Sequence, residues 1–280
     1  MPLPTSASAS VASLLPTSPR AVTFIFASHS RWPLPPSTRS TAPGPSNLPS
    51  PLRISCLDSS FNPPTAAHLA LASRGSADAC LLVYSAQNCD KGTAHAGEVA
   101  RRLAFVREVA LYMQERAEKE GREANVAVAL LNAPAFVDKS RALKEELGRM
   151  MGELGEEGVE TRLSFSVGWD TLIRIFDPKW YSSLQDSMRA FLEEDGSSLV
   201  CARRGDISRE QERGFLESDN VRPWREKVEM FDLEDEKLKG MSSTEVRKAV
   251  KEGWWDDVRR YVPFEGVVEV LRQEAQASKE

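Results

Sequence analysis

Two short stretches of this chain carry residues whose types and spacing suit anion chemistry. The first, "SSFNPPTAAHLALA" (59–72), follows the apolar run "LRISCL" and leads into an apolar, helix-like segment. If the helix begins near Ala66, Thr65 is its N-cap and His68 lies in the first turn, while Pro63 and Pro64 pre-set the loop at little entropic cost. Such a helix start turns unpaired backbone N–H groups and a positive dipole end outward, and a protonated His adds two N–H donors. Phosphate fits that equipment. A proline turn with a half-buried histidine accounts for the same residues equally well.

The second stretch is "GMSSTEVRKAV" (240–250). Ser242 and Glu245 have capping-box spacing, so a purely structural reading is available. Ser243, Thr244 and Arg247 go beyond it: three consecutive hydroxyls at a helix N-terminus, with an Arg one turn in, make an anion cradle. Arg can hold phosphate oxygens bidentately, which Lys cannot. The two stretches together are the equipment for a polyphosphate gripped from both sides.

The elements that must position them alternate. "LRISCL" (52–57), "ACLLVYSA" (79–86), "NVAVALL" (125–131), "RLSFSVG" (162–168) and "SLVCAR" (198–203) read as strands, apolar on both faces as in a helix-covered parallel sheet. Between them, "EVARRLAFVREVALYMQERAEKE" (98–120) places Val99, Leu103, Val106, Ala110, Met113 and Ala117 on one helical face, and 139–154 is a less clean helix. The chain ends in three helical segments, 242–253, 254–262 and 264–276. This alternation predicts an α/β fold, a Rossmann-like doubly wound parallel sheet with C-terminal helices and right-handed crossovers. In such a sheet, ligands bind past the carboxyl ends of the strands where chain order switches, and the loop after the first strand is the usual place.

Composition bounds the function. The formal net charge of −5 argues against a protein that coats nucleic acid, and no run is apolar enough to span a membrane. Four Cys without C-x-x-C spacing and three His give neither a zinc cluster nor a disulfide framework, so no metal site is expected and a reducing compartment is the default. The first 50 residues hold ten of the seventeen prolines and three arginines, and the first acidic residue is Asp58. Residues 1–51 therefore read as a disordered Pro/Ser-rich tail and 52–280 as the folded domain. The acid-free, Arg-bearing tail partly fits a mitochondrial transit peptide, although its prolines oppose the amphipathic helix such a segment needs. Otherwise a cytoplasmic or nuclear location is expected.

"SFNPPTAAHL" resembles the Gly-Ser-Phe-Asn-Pro-x-Thr-x-x-His-Leu signature of nicotinamide or nicotinate mononucleotide adenylyltransferases, a version of the phosphate-binding His motif of nucleotidylyltransferases. "MSSTEVR" resembles the Ile-Ser-Ser-Thr-x-x-Arg motif that closes the same family's site, and "VGWDTLIRIFDPKWY" (167–181) its Gly-x-Asp stretch followed by a Trp. The likeness spans Ile54 to about Tyr261, and its wording looks like a divergent fungal-type branch. It implies a nucleotidylyltransferase-type sheet that binds ATP and the mononucleotide, with Mg²⁺ brought by the ATP phosphates. In the loop, Ser59, Ser60, Phe61 and Asn62 would line the dinucleotide, and Thr65 and His68 would contact phosphates. Ser242, Ser243, Thr244 and Arg247 would hold the triphosphate from the other side. Gly168 and Asp170 would meet the ribose, Trp180 the pyridine ring, and Lys91 and Arg204 phosphates. His68, Lys91 and Arg247 are the candidate catalytic residues.

Each has a plainer reading. Asp170 serves equally as an N-cap, Trp180 as a core or lid aromatic, and Lys91 as polar surface. The chain also departs from the signature: Ser59 stands where the family has Gly, where a side chain could crowd the nucleotide, and Asp58 adds a negative charge beside a phosphate site. The rival reading is thus a diverged protein on the same fold that binds or hydrolyses ATP and acts through partners, or a transferase with another phosphate acceptor.

Overall fold

The computed structural model describes residues 20–36, 51–74, 77–88, 92–93, 96–203, 207–233, 238 and 240–278. The first half runs β1 (Val22–Ala27), β2 (Leu52–Asp58), α1 (Ala66–Ala72), β3 (Ala79–Ser85), the short hairpin strands β4 (Gln87–Asn88) and β5 (Gly92–Thr93), α2 (Ala96–Lys119), β6 (Val126–Leu131) and α3 (Phe136–Glu153). The second half runs β7 (Thr161–Gly168), α4 (Trp169–Ile175), α5 (Leu184–Met188), β8 (Ser198–Arg203), α6 (Arg209–Leu216) and β9 (Val228–Asp232). The helices α7 (Ser243–Glu252), α8 (Trp255–Tyr261) and α9 (Glu265–Ala277) close the chain.

Seven strands form one sheet in the order β1-β6-β3-β2-β7-β8-β9, parallel throughout except for β1, which runs antiparallel to β6. From β2 the chain winds outward through β3 to β6, then returns to lay β7 on the other side of β2. The switch point is therefore between β2 and β7, and the crevice past their carboxyl ends is where a ligand belongs.

Burial on both faces explains the strand sequences. Every residue of β6 is buried. Side chains alternate between two cores. Leu57, Leu82, Val128 and Leu130 face α1, α2 and the closing helices, with Val106, Val246 and Val267 packed there. Ile54, Leu81, Ala129 and Phe165 face α3, α4 and α5 on the other side.

One expectation needs correction. The tail does not stay outside the fold through residue 51. "VTFIFA" adds β1 to the sheet edge beside β6, with one register irregularity between Phe24 and Phe26, and Trp32 and Leu34 behind it are buried. A six-residue run in which five residues are β-branched or aromatic suffices for an edge strand, and the surrounding Pro and Ser mask it in an average over fifty positions. A seventh strand also forms at the opposite edge, where β9 pairs with β8.

Candidate active site at the switch point

The loop after β2 is built on local hydrogen bonds. Ser59 N–H donates to Val83 O at 3.2 Å, which ties the loop to the neighbouring strand. Phe61 is fully buried with φ of +45°, a left-handed conformation uncommon for a bulky residue, so the surrounding packing holds it there. Its ring centroid lies 5.6 Å from that of His68. α1 starts at Ala66 with Thr65 as N-cap, and His68 reaches back so that its Nδ1 accepts from Thr65 N–H at 3.1 Å. Thr65 Oγ1 also sits 2.9 Å from Nδ1, and Nε2 lies 2.9 Å from Ser59 Oγ. His68 is thus a capping residue as well as the candidate phosphate ligand.

The second stretch comes to the same loop. α7 begins at Ser243, with Ser242 Oγ accepting from Glu245 N–H at 3.2 Å. Ser243 Oγ donates to Pro63 O at 2.8 Å, and Arg247 Nη1 donates to Asn62 O at 2.6 Å. Arg247 Nη2 donates to Thr244 Oγ1 at 3.0 Å, and the Arg247 side chain stays exposed. The two stretches therefore meet at the Asn62–Pro63 peptide.

Two arginines of α2 brace this loop from behind. Arg101 donates to Asn62 Oδ1 at 3.1 Å and grips Glu274 of α9 with two bonds of 2.5 and 2.7 Å. The buried Arg102 donates to Ser60 O at 2.5 Å and pairs with Glu98. Burial pulls its guanidinium below the usual arginine value, against the opposing pull of Glu98. Neither arginine was singled out in the sequence. Both lie in a helix whose apolar spacing conceals their role.

Asp58, the last residue of β2, is not a loose negative charge. Its carboxylate lies 2.5 Å from Lys139 Nζ of α3 and accepts from Ser85 Oγ at 3.1 Å. Lys139 is buried, and its ammonium also stands 4.7 Å from the Phe136 ring centre. The pair is internally neutral, so the expected repulsion of phosphate by Asp58 is offset by Lys139. Nor does Ser59 simply fill space: its hydroxyl is bonded to His68.

β7 supplies the other wall. The register Leu57 to Ser166 brings Gly168 level with Ser59 across the switch point, and Gly168 leaves open space where a side chain would stand. Gly168 is also the N-cap of α4, because the helix starts at Trp169, so of the two readings of Asp170 the N-cap one falls: Asp170 is an exposed residue within the first turn. Trp180 lies in a 3-10 turn over Pro178–Trp180 that Asp177 caps, with the Lys179 ammonium 5.0 Å from its ring centre and its buried indole N–H unpartnered. The hydrogen bonds and ring contacts that join the loop to α7 do not include it. Lys91 and Arg204 lie outside the described residues.

No family model matches the chain. A Schizosaccharomyces pombe protein provisionally named nicotinamide mononucleotide adenylyltransferase is 31% identical over 233 residues, covering 78% of this chain and 85% of that protein. Among solved structures, the Plasmodium falciparum nicotinic acid mononucleotide adenylyltransferase superposes with a TM-score of 0.52 at 15% identity, over 79% of this chain and 96% of that one. The second likeness establishes a shared nucleotidylyltransferase fold. The first, which covers more than two thirds of both chains, places the chain in the nicotinamide mononucleotide adenylyltransferase family.

Proposed function

We propose that the protein joins ATP to nicotinamide or nicotinate mononucleotide, transferring AMP to give the NAD-type dinucleotide and pyrophosphate. The observation that carries this reading is the convergence of both phosphate-binding sets on one peptide, Asn62–Pro63, at the switch point. The names of the yeast relative and the Plasmodium structure supply the substrate class.

The transfer is a direct in-line displacement. A phosphate oxygen of the mononucleotide bonds to the α-phosphorus of ATP, and the bond to the bridging oxygen breaks as pyrophosphate leaves with the electron pair. No enzyme nucleophile takes part. The chain positions the reactants and stabilises the charge moving onto the leaving group. His68 and Arg247 do this from the two sides, and Lys91 and Arg204 are further phosphate contacts. Ser60 lines the dinucleotide while the buried Phe61 backs the loop from the core, Gly168 and Asp170 hold the ribose, and Trp180 flanks the pyridine. Mg²⁺ held by the ATP phosphates would neutralise part of their charge. The carboxylate at the head of β2 is committed to Lys139 and Ser85, which fits an ion held by phosphate oxygens and water.

The test is formation of dinucleotide by the purified full chain with ATP, Mg²⁺ and each mononucleotide in turn, with pyrophosphate measured alongside. Matching yields of the two products are expected, and His68→Ala should lower turnover by about 10²–10³-fold with an unchanged far-UV spectrum. Release of inorganic phosphate alone would sink the transferase reading in favour of ATP hydrolysis.

A further inference from the structure

A neutral imidazole carries one N–H donor and one acceptor nitrogen. The Thr65 backbone N–H can only donate, and it donates to Nδ1 of His68. The proton of neutral His68 therefore sits on Nε2, and Nε2–H donates to Ser59 Oγ at 2.9 Å. The longer contact of Ser59 is also one in which it accepts, from Phe61 N–H at 3.5 Å. Its own hydroxyl proton is spent in neither bond. A half-buried serine at the head of the loop thus holds the histidine on one side and retains a donor on the other.

We propose that Ser59 is a positioning residue and an added phosphate contact: it fixes His68 as the Nε2–H tautomer and gives its own O–H to a phosphate oxygen of the bound nucleotide. The chain of donors runs from Thr65 N–H through the imidazole and the serine hydroxyl to the phosphate, each bond polarising the next. Glycine, which the resembled signature has at this position, supplies none of this. The inference rests on the polyphosphate reading of the site, and goes beyond it in assigning a role to a residue that departs from the signature.

The experiment uses the full chain labelled with ¹⁵N-histidine, in wild-type form and as Ser59→Gly, Ser59→Ala and Ser59→Thr. With three histidines in the sequence, the His68 ring signals are identified by their loss in His68→Ala. Long-range ¹H–¹⁵N spectra report the tautomer without any ligand, and calorimetry reports affinity for α,β-methylene-ATP. The wild type should show one Nε2–H pattern. The Gly and Ala variants should show an averaged pattern and bind the analogue about tenfold more weakly, as loss of a hydrogen bond to a charged group implies, and Thr should restore both. An unchanged tautomer, or equal or tighter binding by Ser59→Gly, overturns the proposal, and tighter binding would show that the serine merely crowds the nucleotide. If the expected shifts appear while neither mononucleotide is adenylylated, the transferase reading falls and this one stands. If dinucleotide forms and the variants match the wild type, this one falls alone. A wild type that does not bind the analogue overturns both.

Discussion

Arg247 reaches across from α7 to hold the β2 loop with one end of its guanidinium while the other end rests on its own helix. Nη1 bonds Asn62 O and Nη2 bonds Thr244 Oγ1, a fork that a single ammonium cannot reproduce. Arg247→Lys should therefore raise the apparent KM for ATP about tenfold or more, while stability moves by less than about 0.5 kcal/mol because the side chain is exposed. Steady-state kinetics beside a thermal melt separates the two. Residues such as Arg247, Ser242, Thr65 and His68 were legible in the sequence because their chemistry is contiguous: cap, hydroxyl and cation lie within one turn of each other. Lys139 was not. Its partner Asp58 is 81 residues away, and Arg102 meets Ser60 across 42 residues, so neither pairing leaves a local trace. Asp170 misled for the opposite reason: Asp leads at N-caps, but β7 passes directly into α4 and glycine takes the cap.

At the scale of elements, β2 and α3 are joined by an ion pair with side-chain exposures of 4% for Lys139 and 12% for Asp58. Breaking one side of a buried pair leaves a charge without compensation, so Lys139→Met should cost about 3–5 kcal/mol, whereas Asp58→Asn with Lys139→Met should recover most of that. Denaturant unfolding of the two single variants and the double variant closes the cycle. A second junction ties β8 to α6, where Arg203 donates to both oxygens of Glu212 at 2.5 and 2.8 Å. The bond from Arg203 holds the Glu212 carboxyl below the usual glutamate value. A carboxyl with a lowered folded-state pKa stabilises above its unfolded value, about 4.3, and loses that contribution as pH falls through the folded value. The melting temperature of the wild type should exceed that of Glu212→Gln at pH 7, with the gap closing in acid below about pH 4. The central strands were readable because burial on both faces demands unbroken apolar runs. The edge strands β1 and β9 are only partly buried: β9, "VEMFD", mixes charged and apolar residues, and the apolar run of β1 is lost among the Pro and Ser around it.

For the molecule as a whole, the stretch 20–36 is a structural part, not an appendage. Ser28 Oγ donates to Ala124 O at 2.8 Å, His29 lies 3.0 Å from Asn125 Oδ1, and Arg20 pairs with Asp138 of α3. A chain begun at residue 51 uncovers the β6 edge and the pocket of Trp32. It should melt lower than a chain begun at residue 20 and aggregate during the scan, which light scattering beside calorimetry will show. The bonds from α7 to the loop have a consequence for synthesis. Asn62 and Arg247 are separated by 185 positions. At bacterial to eukaryotic elongation rates of about 5–20 residues per second, the loop waits roughly 10–40 s for its partner to be made. During that interval a nascent polypeptide has the histidine but not the arginine, so the loop stands without the bond that Arg247 gives to Asn62.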